Sequence, residues 1–314
     1  MALNMKGRNL ATLHDLALEE MQEIFKASAD LKRKHKAGEA TPVLKGKTLA
    51  MIFQKPSTRT RVSFEVGIYQ LGGTGLYLGP NDLQLNRGET IEDTARVLSR
   101  FVDGIMARVF SHNDILTLCK HASVPVINGL SDLTHPCQVL ADLLTITERR
   151  GELKGLKMAY IGDGNNMAHS LMLGCAKVGM HISVAAPHGY QPKAEIVEWA
   201  REDASATGAR VEVTTDPVAA AKNADIIYTD VWASMGQESE HNERVNLFQP
   251  YQINAGLTAH AKKDYLFMHC LPAHRGEEVS AEVIDGPHSI VFDQAENRLH
   301  AQKGLMALLM QNET

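Results

Sequence analysis

One stretch organises this chain: Phe53-Gln54-Lys55-Pro56-Ser57-Thr58-Arg59-Thr60-Arg61-Val62-Ser63-Phe64-Glu65. Residues 47–53 are mostly apolar and predict a short strand, whereas the apolar positions of residues 62–71 predict a helix that ends at Gly72-Gly73. The start of a helix presents backbone N–H groups without intrahelical partners and a partial positive charge, so it suits an anion. The stretch therefore predicts a strand–turn–helix unit whose turn binds phosphate. It is not a P-loop, because the glycines and the Lys-Ser/Thr pair of that motif are absent.

The side chains of this turn supply donors that match a phosphate group. Three hydroxyls stand here, on Ser57, Thr58 and Thr60. Arg59 adds a bidentate guanidinium fork, and Arg61 points to roughly the opposite side of the helix. We expect Arg61 to pair instead with Glu65, four residues later. The alternative for the same residues is a plain helix N-cap with solvated arginines.

Composition is typical of a globular protein with room for two cores. The chain has 314 residues, 44% of them hydrophobic, and its net charge of −5 comes from 32 basic and 37 acidic residues. This balance gives no basic surface for nucleic acid, and no apolar run is long enough to span a membrane. The N-terminus shows no secretory signal, so we expect a cytoplasmic location.

Cysteine and histidine spacing argues against a disulfide framework or a metal centre. The four cysteines are far apart: Cys119, Cys137, Cys175 and Cys270. None forms a C-x-x-C pair, and none of the 14 histidines has the spacing of a common metal motif. We therefore expect no metal and no cofactor, and we interpret the first three cysteines as packing residues.

Strand-like and helix-like segments alternate along the chain, which predicts parallel sheets with helices on both faces. The predicted architecture is α/β with two doubly wound parallel-sheet domains, residues 1–148 and 149–292. A last helix within residues 293–314 is expected to pack back on the first domain. Ligands of open α/β sheets bind beyond the carboxyl ends of the strands, so we expect an interdomain active-site cleft. Residues 79–90 are polar, with glycine and proline, and predict an exposed loop.

One segment, Gly162-Asp163-Gly164-Asn165-Asn166-Met167, follows a predicted strand and could suggest a dinucleotide site. Met167 stands where the third glycine of that motif belongs. The next predicted strand, residues 181–187, ends without the acidic residue that would hold a ribose hydroxyl. Both details count against a nicotinamide-dependent oxidoreductase, which remains an alternative.

Four motifs together resemble the aspartate/ornithine carbamoyltransferase family: Ser57-Thr58-Arg59-Thr60-Arg61, His135-Pro136-Cys137-Gln138, Asp230-Val231-Trp232-Ala233-Ser234-Met235-Gly236 and His269-Cys270-Leu271-Pro272. They stand in the order of the family, and the resemblance covers essentially the whole chain. The last two motifs look like the ornithine branch of the family.

The resemblance implies attack by the δ-amine of ornithine on carbamoyl phosphate, giving citrulline and phosphate, with a tetrahedral intermediate stabilised by Arg, His and Thr. It implies that carbamoyl phosphate is bound by Ser57, Thr58, Arg59, Thr60, Gln84, Arg108, His135, Gln138, Cys270, Leu271 and Arg298. Ornithine is implied to lie at Asn166, Asp230, Ser234 and Met235. Catalytic roles fall to Arg108, His135 and Cys270. A trimer or a multiple of trimers is implied, in which Gln84 reaches the site of a neighbouring subunit.

Simpler roles stay open for single residues. The alternative role of His135 is a helix cap, and the same holds for Asp230, since Asp is a good cap. Cys270 is also an ordinary buried thiol, and Asn165 competes with its neighbour Asn166 for the ornithine role. For the whole chain, the alternatives within the family are relatives that act on putrescine or N-acetylornithine. A non-catalytic binding protein with the same fold is the third reading.

Overall fold

The computed structural model describes residues 3–233 and 241–311, apart from the side chains of Asn86, Arg87 and His241. The chain divides into two compact units, the first formed by Met1–Leu144 with Glu296–Thr314 and the second by Thr145–Ala295. Each unit contains its own sheet, and the strands of both sheets pair in parallel. The prediction of two parallel-sheet α/β domains is confirmed.

The first unit alternates helices and strands as expected. Its elements are α1 (Leu18–Lys36), β1 (Thr48–Phe53), α2 (Thr58–Gln70), β2 (Thr74–Leu78), α3 (Ile91–Leu98), β3 (Gly104–Arg108), α4 (His112–His121), β4 (Val126–Leu130) and the beginning of α5 (Pro136–Arg150). The sheet order is β2-β1-β3-β4. The two central strands are buried on both faces, which is why they read as continuous apolar runs rather than as alternating ones.

The second unit follows the same plan with five strands. After α5 come β5 (Lys157–Ile161), α6 (Asn166–Val178), β6 (His181–Ala185), α7 (Ala194–Thr207), β7 (Val211–Thr214), α8 (Pro217–Ala221), β8 (Ile226–Thr229), α9 (His241–Phe248), α10 (Ala255–Thr258), β9 (Leu266–His269), α11 (Ala281–Ile284) and the beginning of α12 (Val291–Met310), whose remainder belongs to the first unit. The sheet order is β7-β6-β5-β8-β9.

In each sheet the strand order reverses at one point, and ligands of open α/β sheets bind at such points. The reversal lies between β1 and β3 in the first unit and between β5 and β8 in the second. Arg108 is the last residue of β3 and stands opposite Phe53 in the register. Asp230 directly follows β8. The topology therefore places predicted site residues of each unit at the switch point of its own sheet.

The later part of α12 packs on α1 and α2 within the first unit. Lys32 donates to Asn297 Oδ1 at 2.7 Å, and Lys303 donates to Gln70 Oε1 at 2.8 Å. Gly304 has to be glycine because a Cβ there would collide with the Ser28 hydroxyl. Among the described residues, no helix is long and apolar enough to cross a membrane.

Two features of the first unit were not predicted. The edge strand β2 is short and half exposed, and two glycines (Gly73 and Gly75) flank or interrupt its pattern. The predicted exposed loop of residues 79–90 contains a 3-10 turn, Gln84–Arg87, which ends at Gly88 with a φ of 92°. A left-handed conformation of this kind favours glycine.

Candidate active site

The N-terminus of α2 is capped by Ser57. Its hydroxyl oxygen accepts a hydrogen bond from the Thr60 backbone N–H at 3.2 Å, and the hydroxyl donates to Thr60 Oγ1 at 3.1 Å. The capping role that the sequence left open is therefore present. It ties up the N–H of Thr60, whereas Thr58 and Arg59 begin the helix and present the orphan donors of its first turn.

Buried polar side chains converge on this helix start from α5 and α12. Arg298 donates to Gln138 Oε1 at 2.6 Å and to Thr60 Oγ1 at 3.3 Å. Gln138 in turn donates from Nε2 to Asp142 Oδ1 at 2.8 Å. All four residues are at most 3% exposed. The structure thus brings three predicted residues together and adds Asp142, which the sequence analysis did not single out.

His135 lies in the field of three arginines. Burial lowers the pKa of His135 well below its ordinary value, and the charges of Arg298, Arg108 and Arg59 lower it further. The imidazole is therefore neutral near pH 7, so it can donate one hydrogen bond but does not act as an imidazolium. A neutral histidine among three guanidiniums leaves a net positive site, which suits a phosphate dianion.

Lys55 is a second residue that the sequence analysis did not assign. Its ammonium lies 4.5 Å from the centroid of the Phe110 ring. Burial lowers the pKa of Lys55, and the charge of Arg108 lowers it further. Lys55 therefore belongs to the same positive field as Arg108. The signal in the sequence was its position inside the turn that is predicted to bind phosphate.

Arg61 takes the structural role predicted for it. Its Nε lies 3.2 Å from Glu65 Oε2 on the exposed side of α2, and its guanidinium stacks over the Tyr77 ring at 3.9 Å.

Gln84 is exposed within its 3-10 turn. Cys137 is buried, and burial raises its pKa to about 12, so this thiol is protonated and packs in the core.

In the second unit, Asp230 receives hydrogen bonds from two neighbouring loops. Its Oδ2 accepts from Asn165 Nδ2 at 2.9 Å, and its Oδ1 accepts from the Cys270 thiol at 3.0 Å. Asn165 also caps α6 through its Oδ1, whereas Asn166 is the first residue of that helix. Asp230, Cys270 and Asn165 therefore form one cluster.

An arginine that the sequence analysis did not single out lies beside this cluster. Arg244 donates to Asp163 Oδ2 at 3.0 Å and to the carbonyl of Trp232, also at 3.0 Å. Both charged side chains are nearly buried, and the guanidinium faces the Tyr190 ring. Arg244 thereby ties α9 to the loop that carries Asn165. Ser234 and Met235, predicted to bind ornithine, lie outside the described residues.

The turn after β9 is stabilised by a buried pair, His269 and Glu278. The Leu271 N–H donates to His269 Nδ1 at 2.8 Å, so Nε2 of this neutral imidazole carries the proton and donates to Glu278 Oε1 at 3.1 Å. His269 and Glu278 are both fully buried. Leu271 has a φ of 58°, which is unusual for a residue with a branched side chain. The pair therefore supports a strained turn that carries Cys270.

Comparison with known proteins matches the chain to two family domains. Residues 8–148 match the family domain described as the aspartate/ornithine carbamoyltransferase carbamoyl-P binding domain, and residues 154–309 match the Asp/Orn binding domain. The chain belongs to the aspartate/ornithine carbamoyltransferase family.

Its relatives match over nearly their full length. The chain is 62% identical to the ornithine carbamoyltransferase of Thermococcus kodakarensis, over 99% of this chain and 98% of that protein. It is 58% identical to the ornithine carbamoyltransferase of Carboxydothermus hydrogenoformans, over 99% and 100%. Among solved structures, the ornithine carbamoyltransferase from Pyrococcus furiosus superposes with a TM-score of 0.96 at 58% identity, covering 98% of both chains.

Proposed function

We propose that this chain is an ornithine carbamoyltransferase, which transfers the carbamoyl group of carbamoyl phosphate to the δ-amine of L-ornithine and releases L-citrulline and phosphate. The observation that carries the proposal is the neutral, buried His135 in the combined field of Arg59, Arg108 and Arg298. The names of the relatives support the choice of ornithine. Residues 1–148 bind carbamoyl phosphate, residues 149–292 bind ornithine, and residues 293–314 belong with the first domain.

Carbamoyl phosphate is held through its phosphate by Ser57, Thr58, Arg59 and Thr60. Arg108, His135, Gln138 and Arg298 act at its carbamoyl end. Attack by an amine builds negative charge on the carbamoyl oxygen and on the departing phosphate, and fixed donors aimed at developing charge give the largest catalytic effect. His135 serves as a neutral donor, because its pKa is lowered. Loss of one such donor should raise the barrier by roughly 3 kcal/mol.

Ornithine is bound by the cluster around Asp230. The Asp230 carboxylate takes the α-amino group, with Asn166, Ser234 and Met235 at the amino-acid end and Asn165 as an added candidate because it donates to Asp230. Cys270 orients the δ-amine or helps to remove a proton from it. The Cys270 thiol donates a hydrogen bond to the Asp230 carboxylate, which orients the thiol. Putrescine keeps both amines of ornithine but lacks the α-carboxylate, so the choice of ornithine over putrescine rests on the residues proposed for the amino-acid end and not on Asp230.

We further propose a cytoplasmic homo-oligomer, either a trimer or a multiple of trimers, in which Gln84 reaches the carbamoyl phosphate site of a neighbouring subunit. Support comes from apolar side chains that α2 leaves exposed at helical spacing along one face: Val62, Val66 and Tyr69. Such a group on one surface is typical of an interaction face. Gln84 is itself exposed, as a residue that reaches another subunit would be.

The proposed activity is tested by a citrulline assay with purified protein and carbamoyl phosphate. Separate reactions contain ornithine, putrescine, N-acetylornithine or aspartate. We expect the parent protein to form a ureido product with ornithine alone, and Arg59→Ala to form none. Product with another amine instead of ornithine would leave the phosphate site standing and contradict the assignment of ornithine as the substrate. No product with any amine would refute the proposed function.

Sharing of sites between subunits has its own test. Mixed oligomers of Gln84→Ala and Arg59→Ala subunits should recover activity that neither variant has alone, since some sites would then receive both intact residues. Mixtures that stay as inactive as the two parents would contradict a shared site.

A further inference from the structure

The turn that follows the Cys270 segment carries three ligand-type side chains at close range. His274, Glu277 and Glu278 place one imidazole nitrogen and two carboxylate oxygens within 4.8 Å of one another. Nδ1 of His274 lies 3.7 Å from Glu277 Oε2 and 3.8 Å from Glu278 Oε2. Ligand atoms around a zinc ion, each about 2.0–2.2 Å from the metal, stand only slightly closer together than this.

The backbone of this turn is held in place before any ligand arrives. The Glu277 N–H donates to the His274 carbonyl at 3.0 Å, and Gly276 has a φ of 94° that suits the tight turn. Gln252 donates from one side chain to the carbonyls of Gly276 and Glu277, both at 2.9 Å. The three side chains therefore project from a preorganised loop.

A second observation points to a ligand between them. Glu278 has a fully buried side chain, and its Oε1 accepts from His269 and from the His274 N–H. Its Oε2 is buried and has no hydrogen-bond partner among the described residues, and it is the oxygen that faces His274. A buried carboxylate oxygen that lacks a partner is costly unless a cation or donor satisfies it.

The charge of the turn also favours a cation. The two glutamates carry the negative charge. The arginine of the turn, Arg275, pairs with Asp285, which accepts from its Nε at 2.9 Å and from its Nη2 at 2.7 Å. His274 is half exposed and Glu277 partly so, which leaves a route from solvent. One imidazole with two carboxylates is a ligand set for zinc and similar divalent transition metals rather than for calcium or magnesium.

Another cluster, formed by Asp230, His269 and Cys270, also has ligand atoms within 4.8 Å. There both imidazole nitrogens of His269 are engaged, one by the Leu271 N–H and the other by Glu278. The Cys270 thiol is engaged by Asp230. Metal binding at that cluster would break these hydrogen bonds, whereas metal binding at His274, Glu277 and Glu278 would break none of them.

We propose that His274, Glu277 and Glu278 form a binding site for one divalent transition-metal ion of the zinc class. The site is separate from the residues to which we assign the chemistry. It leaves the fourth position of a tetrahedral ion to water.

The test is a titration of the full-length protein with Zn²⁺ by isothermal calorimetry, in the absence of substrates, so that its result does not depend on the proposed function. One ion per chain is expected. His274→Ala and Glu277→Gln, both at the surface, should each weaken the affinity by about tenfold or more. His188→Ala removes an exposed imidazole elsewhere in the same unit and should leave the affinity unchanged.

Substitution of Co²⁺ for Zn²⁺ distinguishes the two clusters. Cobalt bound at the proposed site should show no thiolate-to-metal charge-transfer absorption, and Cys270→Ser should bind as tightly as the parent. A thiolate band that disappears in Cys270→Ser would assign the ion to the other cluster and overturn the proposal. Absence of Zn²⁺ binding, or equal affinity in the parent and both turn variants, would overturn it as well.

Discussion

Gln138 donates a hydrogen bond from Nε2 to Oδ1 of Asp142, 2.8 Å away and one turn further along α5. This bond fixes the amide so that its oxygen faces Arg298, which donates to it at 2.6 Å. Asp142 thereby controls the orientation of a residue in the proposed carbamoyl phosphate site, although it is itself fully buried.

Gln138→Glu should therefore lower the free energy of unfolding strongly, although the two side chains are nearly the same size. The acceptor for Arg298 survives, but two buried carboxylates then face each other, at a cost on the order of 3 kcal/mol. The double variant Gln138→Glu/Asp142→Asn exchanges donor and acceptor and should recover most of that loss. Chemical denaturation of the three proteins measures it. Equal instability of the single and double variants would contradict the pairing.

The pH dependence of catalysis tests the protonation state of His135. Because its pKa is lowered well below the ordinary value of 6.5, His135 stays neutral as the pH falls through that value. His135→Asn should lower kcat/KM for carbamoyl phosphate by roughly 10²–10³-fold, through loss of a neutral donor. The acid limb of the pH profile should keep its shape in this variant. Disappearance of that limb would mean that His135 is the titrating group.

Local sequence patterns correctly predicted contacts within one helix and the buried strands of the sheets. The ion pair of Arg61 with Glu65 follows from helix periodicity alone, and it is present. Continuous apolar runs indicated buried parallel strands, and the sheets are parallel throughout. The edge strand β2 was missed because it is half exposed and glycine-rich, so it carries no such run.

Partners distant in sequence could not be predicted in this way. Arg244 and Asp163 are 81 residues apart, and nothing in either local sequence indicates the pair. The same holds for Arg298 and Gln138, which are 160 residues apart and were linked only through the family resemblance. The hydrogen bond from Asn165 to Asp230 also joins residues 65 positions apart, and the local sequence did not indicate it.

The Arg244–Asp163 pair should stabilise the second unit and the loop of Asn165. Arg244→Leu leaves Asp163 nearly buried without its cation, and loss of one partner of a buried pair costs about 3–5 kcal/mol. We expect a raised KM for ornithine, with little change in binding of carbamoyl phosphate. Unfolding and steady-state kinetics measure both effects.

A matched control for Arg244 is available on the surface of the same unit. Arg275 pairs with Asp285, but both side chains are about half exposed. Arg275→Leu should therefore cost far less stability than Arg244→Leu, because solvent screens the exposed pair. A similar loss in both variants would show that burial does not decide the strength of these pairs.

His300 provides a test of acid stability away from the proposed chemistry. Burial and the charge of Lys32 lower the pKa of His300 from 6.5 to about 4, in spite of its contact with Glu296. Between these two values the unfolded chain binds a proton that the folded chain does not, so the free energy of unfolding falls as the pH drops from 6.5 toward 4. Above 6.5 this histidine contributes no such loss.

His300→Gln should therefore lose less stability than the parent on acidification. Denaturant unfolding at about pH 7.5 and about pH 4.5 should show a difference between the two proteins on the order of 2 kcal/mol, reduced from the full shift by solvent screening. His188→Gln changes an exposed histidine and should follow the parent. If His300→Gln lost as much stability on acidification as the parent, the acid sensitivity would have to come from another group. The next candidate would be His135, whose pKa is also lowered by burial.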